Sequence, residues 1–474
     1  MSCIPCKQRR ESDFPTLREI CPSILRHRLL YASPYSAIHR VVIGEVAFVQ
    51  PGHFHPPGSI LASTASNIIL ERRNYLRLCI LEAGISETYL FKRYPHVIFS
   101  FLLLHLQLNL VLLYSQSLRT MIMTSSPCGV HLVGSICGAE TATDSFKKCV
   151  TAFPSCIYRL PDGEPASRNN FIGWQRTVFS GIPVALEQYD AKGDVIEQPK
   201  ASPCEVADVI KNMAPLKLCY DDFALESYAE FKRLKDEGVI PKSVKFLVCV
   251  PTVYCVMSLL RAEFAATVEP IYTNALVGCL KRLEAEIPHE DLAVQVDVAA
   301  EPMLIHARPG KRIYHFDQYW EGDVFTGAMD RVAALVRSVS GDVEVGMHIC
   351  YGDMGHKHFI EPADTADIVR IANSVLERAQ RPINWIHFPV PKARDDEAYF
   401  EPLRGLKVGH ETELYVGLVH PNDESGTRKR LETATKFLEG RKFGVATECG
   451  LGRAPTEEFD SVARISTAIC SPAS

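Results

Sequence analysis

The sequence has no excess of basic residues. Lysine and arginine together number 51 against 56 aspartate and glutamate residues, which gives a formal net charge of −5. A nucleic-acid-binding surface normally needs a clear positive excess. The composition therefore argues against a nucleic-acid partner. The hydrophobic share of 47%, with 23% charged residues, is typical of a globular chain with a full core.

The sequence also lacks two common motifs, one for a dinucleotide cofactor and one for a zinc ion. No glycine-rich dinucleotide fingerprint follows the first strand-like run, which weakens the case for a doubly wound nucleotide-binding sheet. Cys3 and Cys6 form a CxxC pair, but no second pair lies near them. Chance explains this spacing better than a zinc site does.

A disulfide framework is not indicated, although the chain contains 16 cysteines. They are scattered through apolar runs such as Leu-Val-Cys-Val at 247–250, a pattern typical of buried free thiols. Disulfides are rare in reducing compartments. We therefore expect a cytoplasmic protein.

The first 122 residues lack the regular patterning of the rest. Their one membrane candidate, 97–114, carries His105, Gln107 and Asn109 in its middle, where polar groups are costly, so a membrane span is disfavoured. Clean patterning begins soon after Met123. We expect residues 1–122 to be a poorly structured, dispensable extension, a misassigned start being one explanation, and 123–474 to be the catalytic domain.

From residue 130 onward, short β-type runs alternate with amphipathic segments. The runs cover 130–135, 156–160, 244–250, 292–297, 343–350, 383–388, 414–420 and 443–449. Apolar residues recur every three or four positions, as in helices, at 220–237, 271–286, 329–338, 364–379 and 425–438. Eight alternations predict an α/β fold, a (β/α)8 TIM barrel, with an open doubly wound sheet as the alternative.

Barrel enzymes gather their chemistry where the strands end, and the fifth run ends in His348 and Cys350. Residues two apart on a strand point to the same side, and imidazole and thiol are both good zinc ligands. If the barrel closes, Cys449 at the end of the eighth run can reach them from across the mouth. The fourth position is filled by His387 or Glu448, or it stays open for substrate.

Two further strand-end groups are candidates for catalysis. His420 is either a general acid or base or a hydrogen-bonded histidine at a strand end. Asp297 ends an apolar run, where a carboxylate must be hydrogen-bonded or paired to be tolerated, so a structural and a functional role are both open. We expect His356 and His358, in the loop after the fifth run, to be solvated.

Four segments of the chain form a recognisable set. They read Val133-Gly134-Ser135, Asp162-Gly163-Glu164-Pro165, His348-Ile349-Cys350-Tyr351 and Glu448-Cys449-Gly450-Leu451. They resemble, in this order, the Ile-Gly-Ser, Gly-Glu-Pro, His-x-Cys-Tyr and Asp-Cys-Gly-Leu motifs of the catalytic barrel of cobalamin-independent methionine synthase. Its single-barrel relatives are grouped with the uroporphyrinogen decarboxylase superfamily.

The resemblance implies a zinc ion held by His348, Cys350 and Cys449. Zinc would bind a thiol substrate as its thiolate, which is the nucleophile. The thiolate would attack an activated carbon, such as the methyl group of a folate. Together these features predict a methyltransferase of methionine biosynthesis.

The resemblance also implies where a small-molecule or amino-acid substrate binds. Gly134 and Ser135 would hold its carboxylate, and Asp297 would pair with its amino group. Asp162 and Glu164, from the Gly-Glu-Pro segment, complete the predicted substrate-binding residues.

Several departures from the family pattern leave other functions open. The family's glutamate ligand falls at His387, which would make the site more positive and a bound thiolate less nucleophilic. Asp297-Val298-Ala299-Ala300 replaces Asp-Glu-Pro-Ala, Gly452-Arg453-Ala454 replaces Lys-Thr-Arg, and residues 1–122 are too short for the family's N-terminal barrel. The alternatives are a metal-free decarboxylase using Asp162, Asp297 and Arg159 or Arg168, and a degenerate non-catalytic barrel.

Overall fold

The computed structural model describes residues 128–190, 195–306, 316–352, 358–438 and 440–470. The extension predicted at 1–122, its membrane candidate 97–114 and His356 lie outside these ranges. Within them, every helix is too short or too polar to cross a membrane.

Eight parallel strands form one sheet, and each lies within or overlaps one of the eight predicted runs. Neighbours in the sheet follow the order β1-β8-β7-β6-β5-β4-β3-β2. The strands are β1 Val130–His131, β2 Arg159–Pro161, β3 Lys245–Pro251, β4 Leu292–Val298, β5 Glu344–Ile349, β6 Trp385–Pro389, β7 Glu413–Gly417 and β8 Gly444–Ala446. The sheet curls into a nearly closed barrel with helices between its strands, so the predicted (β/α)8 fold is confirmed.

The helices alternate with the strands along the chain. They are α1 Ala142–Ala152, α2 Pro203–Lys211, α3 Tyr220–Asp236, α4 Val253–Met257, α5 Ala262–Glu286, α6 Glu301–His306, α7 Val324–Ser338, α8 Ala366–Ala379, α9 Glu397–Phe400, α10 Glu424–Phe437 and α11 Glu458–Ile469. Short 3-10 turns cover Ala166–Asn169, Gly173–Phe179, Pro183–Ala185 and Glu401–Gly405.

Polar side chains mark where several helices begin. Ser202 and Glu205 form a reciprocal capping box at the start of α2. Thr141 accepts a hydrogen bond from a backbone N–H in the first turn of α1, and Asp323 does so in α7. Such caps bind N–H groups that have no partner inside the helix.

The barrel closes through few hydrogen bonds at the first strand. β1 pairs with β8 at two positions, Val130 with Val445 and His131 with Ala446. On its other side, Val130 N–H donates to the Cys156 carbonyl at 2.6 Å. Further along, Ile136 N–H donates to the Gly163 carbonyl at 2.9 Å. These contacts bring the segments that follow β1, β2 and β8 to one end of the barrel.

An ion-pair cluster fills the opposite end of the barrel interior. Arg159, which begins β2, donates to Glu344 and Glu413, which begin β5 and β7, at 2.8 Å each. Its guanidinium also lies 4.1 Å from the ring centre of Trp385. The strands start at this end, whereas barrel sites form where they finish. Arg159 is therefore excluded from the decarboxylase alternative, which leaves Arg168.

Candidate metal centre

Three metal-ligating side chains meet at the carboxyl end of the barrel. His348 lies near the end of β5, Cys350 follows that strand, and Cys449 follows β8 by three residues. Their donor atoms all lie within 4.8 Å of one another. The two Sγ atoms are 3.8 Å apart, and Nε2 of His348 is 3.8 Å from Sγ of Cys449. The structure thus brings together the three residues predicted to share a site.

The two spacings to the Cys449 sulfur are close to those around a single tetrahedral ion. Two sulfurs each about 2.3 Å from a tetrahedral zinc lie about 3.8 Å apart, and a sulfur and a nitrogen about 3.6 Å apart. Two cysteines and one histidine also form a known catalytic zinc set that leaves the fourth position open. The donor set therefore fits zinc in its chemistry and in the two spacings to Cys449.

The surroundings of Cys449 favour its negatively charged thiolate form. The pKa of Cys449 lies well below its ordinary value, chiefly because the Cys350 thiol donates a hydrogen bond to its sulfur. Arg453 adds to this effect, with its Nη2 atom 4.0 Å from the sulfur. A thiolate is the form of cysteine that binds metal. Cys449 is therefore well suited to bind a metal ion as a thiolate.

His387 lies beside the three donors but faces other partners. It is fully buried on β6, in register with His348 on β5. Its Nδ1 is 2.7 Å from Nδ1 of His348, and its Nε2 is 2.9 Å from the Thr447 carbonyl oxygen. Burial, with His348 and His131 nearby, lowers the pKa of His387 well below its ordinary value. Its predicted role as a ligand stays a prediction, but both ring nitrogens already have partners.

Glu448 lies between two histidines next to this group. Its Oε2 is 3.3 Å from Nδ1 of His420, and its Oε1 is 3.3 Å from Nε2 of His358. His420 is buried with Nε2 2.9 Å from the Val390 carbonyl, and burial near Arg430 lowers its pKa to about 3. The His358 side chain is 12% exposed, so the predicted solvated position of this residue is wrong.

Two acidic side chains share the neighbouring part of the mouth. Asp297 is buried at the end of β4 and accepts a hydrogen bond from Nε2 of Gln295 at 2.8 Å. Burial and the nearby Glu164 raise the pKa of Asp297 well above its ordinary value. Burial and Asp162 raise the pKa of Glu164 to about 8. Cys449 adds to both shifts, so the acidic pair and the metal-ligating group belong to one site.

Both carboxylates of the acidic pair line a cleft that opens to solvent. Glu164, Asp297, Asp162 and Arg168 supply its polar lining. The aromatic residues on its wall are Phe171, Trp174, Tyr220, Phe223 and Phe246.

Asp162 binds other residues of the protein with both of its oxygens. Oδ1 accepts from the Glu164 N–H at 2.9 Å. Oδ2 accepts from the Ser227 hydroxyl and pairs with Arg168, both at 2.8 Å. Asp162 therefore holds Glu164 and Arg168 in place, and its predicted contact with substrate stays a prediction.

Gly134 and Ser135 lie where β1 continues towards the site. Oγ of Ser135 accepts from Gly452 N–H at 3.0 Å, and within the described residues its hydroxyl proton has no acceptor. A Cβ atom on Gly134 would lie 3.4 Å from Oε1 of Glu164 and 3.5 Å from Sγ of Cys249. Gly134 therefore adjoins the acidic pair, and Ser135 adjoins the loop that carries Cys449.

Two residues of the site were missed by sequence reasoning. Nε2 of Gln295 donates to Asp297, while its Oε1 lies 2.7 Å from Nε2 of His131. The alternation along β4 would have found it, since it lies two residues before Asp297. Thr447 acts through its backbone carbonyl. Every residue has such a group, so no sequence pattern could have identified this contact.

The comparisons with known proteins yield fold likeness alone. No protein-family model matches the sequence, and no curated protein matches it. A solved B12-independent methionine synthase from Shewanella sp. W3-18-1, in complex with selenomethionine, is 14% identical with a TM-score of 0.45, over 73% of this chain and 96% of that chain. A putative vitamin-B12-independent methionine synthase from Listeria monocytogenes is 13% identical with a TM-score of 0.39, over 73% and 99%. Function has to be inferred from this chain's own side chains.

Proposed function

We propose that this chain is a zinc-dependent enzyme that transfers a methyl or other alkyl group to the thiol of a small amino-acid substrate. The proposed type is a 5-methyltetrahydrofolate–homocysteine S-methyltransferase. The observation that carries the proposal is the group of His348, Cys350 and Cys449, whose donor atoms lie within 4.8 Å of one another. Such a set leaves one position open for a substrate sulfur.

Zinc bound at this group would lower the pKa of the substrate thiol, so that sulfur binds as a nucleophilic thiolate. The substrate would be oriented by the protein. Asp297 and Glu164 would receive its amino group, because an arriving ammonium compensates buried carboxylates that otherwise resist ionisation. Ser135 would donate its free hydroxyl proton to the carboxylate, with the Gly134 backbone alongside.

The methyl donor we propose is a folate that carries its methyl group on nitrogen. The new S–C bond forms as the C–N bond breaks, and the leaving nitrogen takes up a proton. His420 donates its Nε2 proton to the Val390 carbonyl, so its Nδ1 faces Glu448. A hydrogen bond between these two groups needs one shared proton, which the pair would supply to the leaving nitrogen.

Metal content and methyl transfer together test this proposal. The purified full-length protein should hold about one zinc ion per chain, measured by elemental analysis. It should also convert homocysteine to methionine with methyltetrahydrofolate. C350S and C449S should each lose zinc and activity, whereas C204S, at an exposed thiol, should keep both.

Two results would contradict the proposal. A folded protein without zinc after reconstitution would remove the basis of thiol activation. Full turnover of an acidic substrate in the presence of a chelator would instead favour the metal-free decarboxylase.

A further inference from the structure

We infer that His387 is a positioning residue that fixes the tautomer of His348, so that the Nε2 lone pair of His348 faces the two cysteines. This inference rests on the proposed function. It assigns His387 a place behind the metal ligands, and it leaves the fourth position open for the substrate sulfur.

The first step concerns the contact between His387 and Thr447. Nε2 of His387 lies 2.9 Å from the Thr447 carbonyl oxygen. A carbonyl oxygen only accepts hydrogen bonds, so this nitrogen carries a proton. In a neutral imidazole the other nitrogen then has only a lone pair. Nδ1 of His387 is therefore an acceptor.

The second step concerns the contact between the two histidines. Their Nδ1 atoms lie 2.7 Å apart, and the acceptor on His387 requires the proton to be on His348. Nε2 of His348 is then unprotonated, and it lies 3.8 Å from Sγ of Cys449. Imidazole binds metal only through such a lone pair. The hydrogen bond thus selects the one neutral tautomer of His348 that can be a ligand.

The third step concerns the burial of the pair. The His387 side chain is fully buried, and His348 is 3% exposed. Water therefore has little access to replace either hydrogen bond of His387, and the protein holds the orientation of the two rings.

The segment after β8 contributes twice to this arrangement. It supplies Cys449 as a donor, and it supplies the Thr447 carbonyl that orients His387. The Thr447 hydroxyl also donates to the Cys449 carbonyl at 2.7 Å, which fixes the two residues relative to each other. A metal-binding histidine commonly has such a partner on its second nitrogen, and losing the partner typically weakens affinity 10–100-fold.

Zinc affinity of variants in the full-length protein tests the inference. A glutamine at 387 can accept from His348 through its oxygen and donate to Thr447 through its amide, whereas a leucine can do neither. With a chromophoric chelator as competitor, H387L should bind zinc roughly 10–100-fold more weakly. H387Q should stay within about threefold of the parent. H289L is the matched control, because both ring nitrogens of His289 also have partners but the residue precedes the start of β4, and its zinc affinity should not change.

The remaining outcomes distinguish a positioning role of His387 from a role as a zinc ligand. An H387Q protein that loses zinc as completely as C449S would show that His387 is itself a ligand, and would overturn the inference while leaving the proposed function intact. Unchanged affinity in H387L would overturn it as well. If H387L does not fold, the cobalt(II) absorption of H387Q decides, since a positioning role predicts the parent spectrum. A parent protein that binds no zinc would overturn both.

Discussion

At the scale of single residues, Glu164 has a backbone conformation that is uncommon outside glycine. Its φ angle is +49°, a left-handed conformation that costs roughly 1–3 kcal/mol at a non-glycine residue. Hydrogen bonds hold it there: its own N–H donates to Asp162, and Ile136 N–H donates to the carbonyl of the preceding Gly163. Such strain is common where a side chain must be aimed into a site.

The raised pKa of Glu164 predicts how stability depends on pH. Its pKa rises from 4.5 to about 8 on folding, so the folded state holds an extra proton between these values. Stability should therefore fall as pH rises through this window. E164Q lacks this titration. The difference in the free energy of unfolding, E164Q minus parent, should therefore increase by roughly 2–4 kcal/mol between pH 5 and pH 8.5.

Urea unfolding of both proteins at the two pH values measures this difference. If the two stabilities change in parallel with pH, Glu164 does not bind a proton on folding. In that case the proposed pairing of Glu164 with a substrate ammonium would lose the support of its raised pKa.

Which site residues the sequence could predict depends on the kind of contact they make. His348 and Cys350 follow from strand alternation, and Cys449 follows from its place after a strand. The arrangement of His387 depends on a ring orientation and on a backbone carbonyl of Thr447. Neither leaves a pattern in the sequence, so only the three-dimensional structure shows that both its nitrogens are bonded.

At the scale of elements, the centres of the strands were predictable and their ends were not. The first run, 130–135, contains a β1 of only two residues. Beyond it, backbone groups of Ser135 and Ile136 bond to Leu451 and Gly163 instead of to a strand. Helix α11 was missed, although its buried Phe459, Val462, Ile465 and Ile469 recur at helical spacing.

β5 offers a test of how strand packing supports the metal centre. Gly346 lies two residues before His348, and a Cβ atom there would overlap the indole ring of Trp385. G346A should therefore destabilise the protein by about 1–3 kcal/mol, measured by urea unfolding. It should also weaken zinc binding, because β5 must shift away from β6.

Gly341 provides the matched control for this substitution. A Cβ atom at that position meets nothing within 4 Å, so G341A should leave zinc affinity unchanged. Equal zinc affinity in G346A and the parent would show that the centre tolerates movement of β5.

At the scale of the whole molecule, the repeated alternation of strand and helix patterns was enough to predict the barrel. All eight strands lie between Val130 and Ala446. The sequence could not show how tightly the barrel closes, because closure at β1 depends on a few hydrogen bonds between residues far apart in the chain. It also could not show that Arg159 lies at the end of the barrel opposite the site.

The position of the strands predicts that the barrel folds without the preceding residues. A chain beginning at Met123 includes every strand and helix of the described barrel. It should therefore unfold at the same urea concentration as the barrel in the full-length protein and bind zinc with equal affinity. Insoluble protein, or protein without zinc, would show that residues 1–122 are needed.

The pairing of β1 with β8 determines how early the barrel and its metal centre can form during synthesis. Val130 pairs with Val445, so the first strand cannot pair with β8 until more than 300 further residues have been synthesised. Contacts between such distant residues form late and slowly. Cys449 and the Thr447 carbonyl arrive with that last strand. A growing chain that already carries His348 and Cys350 therefore has only part of the metal-binding group, and the complete centre can form only after Cys449 has been synthesised.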